Sequence, residues 1–341
     1  MRTAKAFRIT AGFSIDELTF DQVELPEPGF GQVLVAIKAA CLNYRDVLIV
    51  SGKYNPNLAK PMILGSDAAG EVIAAGENVK DFRVGDRVIG SFFQNWHSGE
   101  FTPEAAPSAL GGSIDGVLTT QRVFESRGLV HLPEHLTFEE GATLPCAGLT
   151  AWNALVSMAQ VKSGDTVLLL GTGGVSIFGL QFALMHGART IITSRSDQKL
   201  ARAKALGAHE TINYAKTPEW NKEVMRLTGR RGVDVVLEVG GTGTLPQSLR
   251  SVRAGGQVSI IGVLAGISEP LNIGPIIHNA VRVQGIYVGS VEMFHAMNRA
   301  ISLHKLKPVI DRTFAFAEAQ DALRYMQSGS HFGKIVIKIA D

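Results

Sequence analysis

The chain has 341 residues, 45% hydrophobic and 19% charged, with 37 glycines and two cysteines. That length fits two globular domains with separate cores, and two cysteines far apart exclude a disulfide framework and fit a reducing compartment. Lys plus Arg exceeds Asp plus Glu by only 33 − 31 = 2, which gives no basis for a nucleic-acid or anionic-membrane partner.

The opening MRTAKAFRITAG lacks the apolar segment of a signal peptide. No apolar stretch in the chain reaches the roughly 18 residues of a membrane span. A soluble, cytoplasmic protein is expected. Residues 1 to about 125 read as β-rich: QVLVAIKAA, GEVIAAG and GDRVIGSFF are short apolar runs set between Pro/Gly turns. HLPEHLTFEEGATLP reads as a connection. From about 163 the pattern alternates. TVLLLG is a continuous apolar run, as expected of a strand covered on both faces, and GVSIFGLQFALMHGA has helical spacing ending at Gly187. RTIITS, ETINY, VDVVLEVGG, QVSIIG and VRVQGIYVG continue the strands, with helical or irregular crossovers between them. Six such strands predict a doubly wound parallel sheet. From about 292 a helix, a strand near VIDRTFAF, another helix and the strand GKIVIKIA close the chain. This tail could form a third unit or return to the first.

After the first strand of the alternating region comes GTGGVS, Gly171 to Ser176, opening a helix. Gly171 allows a tight turn. Gly173, Gly174 and Val175 place backbone N–H groups where a pyrophosphate meets a helix N-terminus, although Ser176 stands where a strict G-x-G-x-x-G has its third glycine. The next strand ends TIITSRSDQK. Its tip carries Thr193, Ser194, Arg195 and Ser196 with no carboxylate before Asp197, which reads as a helix N-cap. An NAD site usually places an acidic group there. Hydroxyls with Arg195 and Lys199 suit a 2′-phosphate instead, and two charge-assisted contacts favour NADPH by roughly two to four decades.

GSDAAGEV, VGDRV, LPCAGLTAW and GDTVLLLGTGGVSIFGLQFALMHGA occur in this order. The chain thereby resembles the medium-chain dehydrogenase/reductase superfamily over essentially its whole length. The resemblance implies an α/β protein. A GroES-like β-rich catalytic domain would take residues 1–125 and 292–341, and an NADP-binding Rossmann domain with a doubly wound parallel six-stranded sheet would take 126–291. The ligand positions of the family's zinc enzymes read Asn43, Ser66 and Cys146 here, and the lobe of four closely spaced cysteines is absent. An Asn/Ser/Cys set is too poor to hold catalytic zinc, with Asp67 the one added candidate, so no metal is expected. Cys41 and Cys146 read as small fillers rather than nucleophiles.

CLNYRDVLIVSGKY resembles the zinc-independent branch, which includes quinone oxidoreductases and enoyl reductases. The resemblance implies that Asn43 sits near the nicotinamide and that Tyr54 is a proton-donor candidate. It places Lys199 and Tyr214 at the adenosine phosphate, and Thr150 near the nicotinamide end. Val239 and Gly240 would line the ribose, and Gly262 and Val263 the nicotinamide face. Tyr287 to Ser290, Val288 among them, would form the far wall, and Lys334 would reach back to the cofactor phosphates. Leu48 stands where several quinone oxidoreductases have a tyrosine, and with Phe92, Phe93 and Trp96 it predicts an apolar pocket wall. The expected activity is NADPH-dependent hydride transfer to a quinone or an α,β-unsaturated carbonyl, a small electron-poor substrate. Asn43 and Tyr54 are the catalytic candidates. The alternatives are a zinc-type alcohol dehydrogenase with degenerate ligands and a non-catalytic NADPH-binding or sensor protein. The family often pairs its last cofactor-domain strand edge to edge, so VRVQGIYVG predicts a homodimer.

Overall fold

The computed structural model describes residues 2–340. They form two compact units: one runs to Leu149 and resumes at Val288, and the other is Thr150–Tyr287. No helix among the described residues is long and apolar enough to cross a membrane.

In the first unit, β1 (Arg2–Ile9) pairs antiparallel with β2 (Leu18–Leu25) and with the short β4 (Met62–Ile63), making a three-stranded sheet. β3 (Gln32–Leu42) is the long central strand of the second sheet. Its valines and isoleucine are buried, as β-branched residues on a covered pleat should be. It pairs antiparallel with β5 (Asp67–Ala75), which pairs with β6 (Arg87–Gly90). β7 (Gln121–Glu125) lies against the N-terminal half of β3, and β8 (Leu129–His131) closes the edge beside β6.

The second unit alternates as its apolar runs predict. β9 (Thr166–Leu169), β10 (Arg189–Ser194), β11 (Glu210–Asn213), β12 (Val233–Glu238), β13 (Val252–Ile260) and β14 (Arg282–Gly285) form a six-stranded sheet in the order β11-β10-β9-β12-β13-β14. Every pair in it is parallel. The order reverses between β9 and β12, so the carboxyl ends of the strands offer the crevice in which such sheets bind ligands. β13 begins five residues before QVSIIG, because the preceding helix stops at Ser251 and Val252 already pairs with Val233, ahead of an irregularity in which Gly255 is left-handed, φ 68°.

The tail returns to the first unit. β15 (Ile310–Ala315) pairs parallel with β16 (Lys334–Lys338), and β16 pairs antiparallel with the C-terminal half of β3, Ile335 opposite Leu42 and Ile337 opposite Ala40. Ile335, Ile337, Leu323 and Met326 fill one buried cluster with Leu42, Val47 and Ile49. The unit boundaries differ from 125/126 and 291/292. Residues 126–149 stay with the first unit because β8 joins β6 and the Cys146 N–H donates to Asp67 at 3.1 Å. Val288 onward joins it because the Val291 and Glu292 amides donate to the carbonyls of Trp96 and His97.

Candidate functional site

The second unit gathers the expected nucleotide residues at the carboxyl ends of its strands. Gly171 follows β9 in the left-handed region, φ 72°, and its N–H donates to Thr193 Oγ1 across the sheet. Gly173 caps the helix Gly174–Met185 with no side-chain partner, and a Cβ at 171 or 173 would point into open space. The first amides of that helix, Gly174 and Val175 among them, face a glycine loop with room above it, which fits a pyrophosphate. Ser176 replaces the third motif glycine without strain, since its buried Oγ donates to Leu170 O at 2.6 Å. Close helix–sheet packing falls to Gly179 instead, where a Cβ would meet Leu237 and Leu169.

Ser194 ends β10, buried, and Arg195 is exposed with no ion pair among the described residues. Ser196, not Asp197, is the N-cap of the next helix: its Oγ accepts from the Lys199 N–H, and Asp197 is the first helical residue. Both Asp197 oxygens are engaged, by Asn213 Nδ2 at 2.7 Å and Lys216 Nζ at 2.6 Å, and these contacts hold its carboxyl below the usual range. Tyr214 follows β11, its N–H bonded to Ser194 O. Val239 and Gly240 follow β12, and Gly262 and Val263 follow β13. The Leu264 and Ala265 amides donate to the carbonyls of Val239 and Gly240, so the two loops are tied together.

Glu238 anchors that pair of loops and was not among the candidates. It is fully buried, and its Oε1 accepts from the N–H groups of Gly240 and Gly241 at 2.8 and 3.1 Å and from Thr244 Oγ1. Its signal in the sequence is a carboxylate that ends the apolar run Val235–Leu237, just ahead of Gly240 and Gly241. Thr150 is buried on a helical turn, Leu149–Trp152, set between the π-helical turns Leu144–Gly148 and Asn153–Met158. Such turns reshape a helix locally and recur at functional sites.

The first unit holds the other candidates. Asn43 ends β3 and opens the helix Tyr44–Val50. Its N–H donates to Asp46 Oδ2 at 2.8 Å, so the Asp46 side chain caps the turn. The Asn43 side chain is buried: Oδ1 accepts from Lys334 Nζ at 2.6 Å, and Nδ2 faces Ser66 Oγ at 3.4 Å. Ser66 Oγ donates to Asp67 Oδ1 at 2.7 Å. Lys334, 3% exposed, also donates to Leu42 O at 2.8 Å. That position corrects the expectation that Lys334 reaches the cofactor phosphates, because the β16–β3 pairing turns its ammonium into this polar cluster. Burial works against its charge, but Cys41, Asp67, Cys146 and Asp46 around it outweigh that and hold its pKa above the ordinary value. Burial lifts Asp67 above the usual carboxyl range against Lys334, Asn43 and Ser66, and lifts Asp46 to about 6. The Cys41 thiol is pushed up to about 12 by burial and donates to Ile335 O, so it is a neutral packing group.

Tyr54 is 41% exposed, and the Arg45 guanidinium stacks between its ring and that of Phe92, at 5.1 and 4.6 Å from the two centroids. Arg45 Nη1 donates to Leu110 O, which fixes this layered arrangement. Of the expected apolar wall, Phe92, Phe93 and Trp96 are buried, with Phe93 tilted and Trp96 edge-on against Phe101. They fill the interior because their rings pack on one another. Ser290, expected in the far wall, is buried, and its Oγ accepts from the Met293 N–H and caps the helix Val291–His304. Val288 is buried with φ 56°, a left-handed conformation that costs a β-branched residue about 1–3 kcal/mol.

These two units define an oxidoreductase with a dinucleotide-binding fold. A family model described as an alcohol dehydrogenase GroES-like domain matches residues 29–134, and one described as a zinc-binding dehydrogenase matches residues 174–303. A zinc-type alcohol dehydrogenase-like protein of Schizosaccharomyces pombe is 46% identical over 95% of this chain and 96% of its own length. The crystal structure of an NAD-dependent alcohol dehydrogenase is 33% identical, with TM-score 0.90, over 98% of this chain and all of that one. A quinone oxidoreductase of Pseudomonas syringae pv. Tomato DC3000 is 30% identical, with TM-score 0.84, over 98% of this chain and all of that one. The chain belongs to the medium-chain dehydrogenase/reductase superfamily, and its fold is that of a nicotinamide-dependent enzyme.

The residues present do not fit the zinc of the family description. Catalytic zinc needs three protein ligands from thiolate, imidazole and carboxylate. Here the corresponding positions supply a carboxamide, a hydroxyl and a thiol whose pKa burial pushes up, beside a buried ammonium. Among the described residues no group of three or more His, Cys, Asp or Glu is placed to hold a metal.

Proposed function

We propose that the chain is an NADPH-dependent reductase that transfers hydride, without zinc, to a quinone or an α,β-unsaturated carbonyl, in a reducing cytoplasmic setting. The observation that carries this reading is the Lys334–Asn43–Ser66–Asp67 cluster. It puts hydrogen-bonding groups and a fixed ammonium where a plain alcohol or aldehyde would need a Lewis acid, and a conjugated acceptor is already activated.

Gly171, Gly173, Gly174 and Val175 would hold the pyrophosphate, Ser194, Arg195, Lys199 and Tyr214 the adenosine phosphate, and Thr150, Val239, Gly240, Gly262, Val263 and Val288 the nicotinamide end. Bound there, the nicotinamide supplies the hydride. The chain supplies orientation, desolvation and polar partners. Asn43 would donate an N–H to the substrate oxygen as negative charge develops on it, and Tyr54, held under the Arg45 guanidinium, would supply the proton.

The test is NADPH oxidation with a panel of quinones, enones and aldehydes, with and without chelator. Quinone or enone turnover that the chelator leaves unchanged is expected. One tightly bound zinc per chain that activity requires, or turnover of aldehydes alone, would support an alcohol dehydrogenase instead. Tight NADPH binding with no turnover of any acceptor would support a sensor.

A further inference from the structure

Lys334 is a buried cation that neither donates the hydride nor supplies the proton. It begins β16, and the pairing of Ile335 with Leu42 carries its side chain to the C-terminal end of β3. Asp67 faces it from β5, Asp46 from the helix after β3, Cys41 from β3 itself, and Cys146 from the π-helical turn at Leu144–Gly148. Its ammonium donates to two oxygens, Leu42 O and Asn43 Oδ1.

An ammonium can only donate. Asn43 must therefore present its oxygen to Lys334 and turn its NH2 group the other way. There Nδ2 meets Ser66 Oγ at 3.4 Å, near the limit of a hydrogen bond, while Ser66 spends its own proton on Asp67 at 2.7 Å. The carboxamide is thus held firmly by its oxygen and loosely by its nitrogen. With Lys334 replaced by a neutral side chain, the anchor on Oδ1 is lost, and only the Nδ2 contacts to Ser66 and Asp67 would hold the amide.

We propose that Lys334 is a positioning residue, an internal cation that fixes the Asn43 carboxamide with its N–H groups turned away from the ammonium, toward the substrate oxygen, and that keeps divalent metal out of the cluster. The proposal rests on the reading of Asn43 as the substrate's donor, and the variants separate the two. Lys334→Met removes charge and donor at similar length. Asn43→Asp keeps an oxygen for Lys334 and removes the N–H groups.

In the full-length protein, kcat and KM with one quinone and one enone are measured beside the NADPH dissociation constant from fluorescence. Lys334→Met is expected to lower kcat at least about tenfold, the size of one charge-assisted hydrogen bond, with NADPH affinity within about threefold of the parent. Lys334→Arg is expected to recover part of kcat. Lys334→Met that loses NADPH affinity at unchanged kcat would overturn the proposal and return Lys334 to the cofactor phosphates. If Asn43→Asp turns over like the parent, the donor reading of Asn43 fails and the proposal falls with it. If Asn43→Asp is slowed and Lys334→Met is not, the Lys334 proposal alone is overturned. A measurement on the unaltered protein covers the case in which Lys334→Met does not fold. After dialysis against zinc chloride, metal analysis is expected to find no zinc that depends on Asn43. One zinc per chain, lost in Asn43→Ala, would overturn it.

Discussion

At the end of β10 the Arg195 guanidinium is exposed and unpaired among the described residues, while Asp197, the nearest carboxylate along the chain, is held by Lys216 and Asn213. A group free to meet a phosphate thus sits where a ribose-binding acid is missing. Arg195→Ala should remove one charge-assisted contact and lower kcat/KM for NADPH by about ten- to a hundredfold, leaving NADH nearly unchanged. Equal losses for both nucleotides would refute the 2′-phosphate role. The solved relative that uses NAD makes this comparison informative.

Asp46 raises a separate question of stability. It is fully buried with one oxygen on the Asn43 N–H and the other without a partner, and burial lifts its pKa from 3.8 to about 6. A raised carboxyl binds its proton more tightly in the folded state. Stability therefore falls as pH climbs from 3.8 to 6, and above 6 the full cost, about 3 kcal/mol, is present. Asp46→Asn never ionises. Its unfolding free energy minus that of the parent should rise by up to about 3 kcal/mol between about pH 4 and pH 7 in urea melts. A difference that stays flat with pH would show that Asp46 does not titrate in this window.

Among the elements, β14 stands apart. It is the outer strand of the parallel sheet, and all four of its residues are exposed, Val283 included. A strand edge left open in this way invites pairing with another chain. We propose that two copies join edge to edge through β14. Light scattering should give a dimer, and Val283→Lys, which places a charge on the edge, should shift it to monomer. A monomeric parent protein, or a dimer indifferent to Val283→Lys, would refute that pairing. The six strands of this sheet were legible because each is a local apolar run followed by its own crossover, so order and direction follow from short-range pattern. What that pattern hid was the polar residue that braces it: Glu238 reads as the end of a strand, and its four partners lie in the loop beyond it and on the helix Leu245–Ser251.

Across the whole molecule, the hardest feature to read was the return of the tail. Periodicity reports which face of a strand is buried and says nothing about which strand lies beside it. The partners Lys334 and Asn43 are 291 positions apart, a separation no local signal spans. Likeness to a family could name Lys334 as a site residue, yet its direction came only from the pairing of β16 with β3. That pairing is held by the apolar residues around it. Ile337 is fully buried in the cluster that contains Leu42, Val47, Leu323 and Met326, so truncating it leaves a cavity at the joint between tail and first unit. Ile337→Ala should cost about 2–5 kcal/mol in urea unfolding, whereas the same change at the partly buried Ile339, which packs at the rim of that cluster, should cost less. Equal costs at the two positions, or a loss under about 1 kcal/mol at Ile337, would mean that the tail contributes little to closing the first unit. Lys334 would then sit on a loosely held strand, and the β16–β3 pairing would not be what fixes its bond to Asn43 Oδ1.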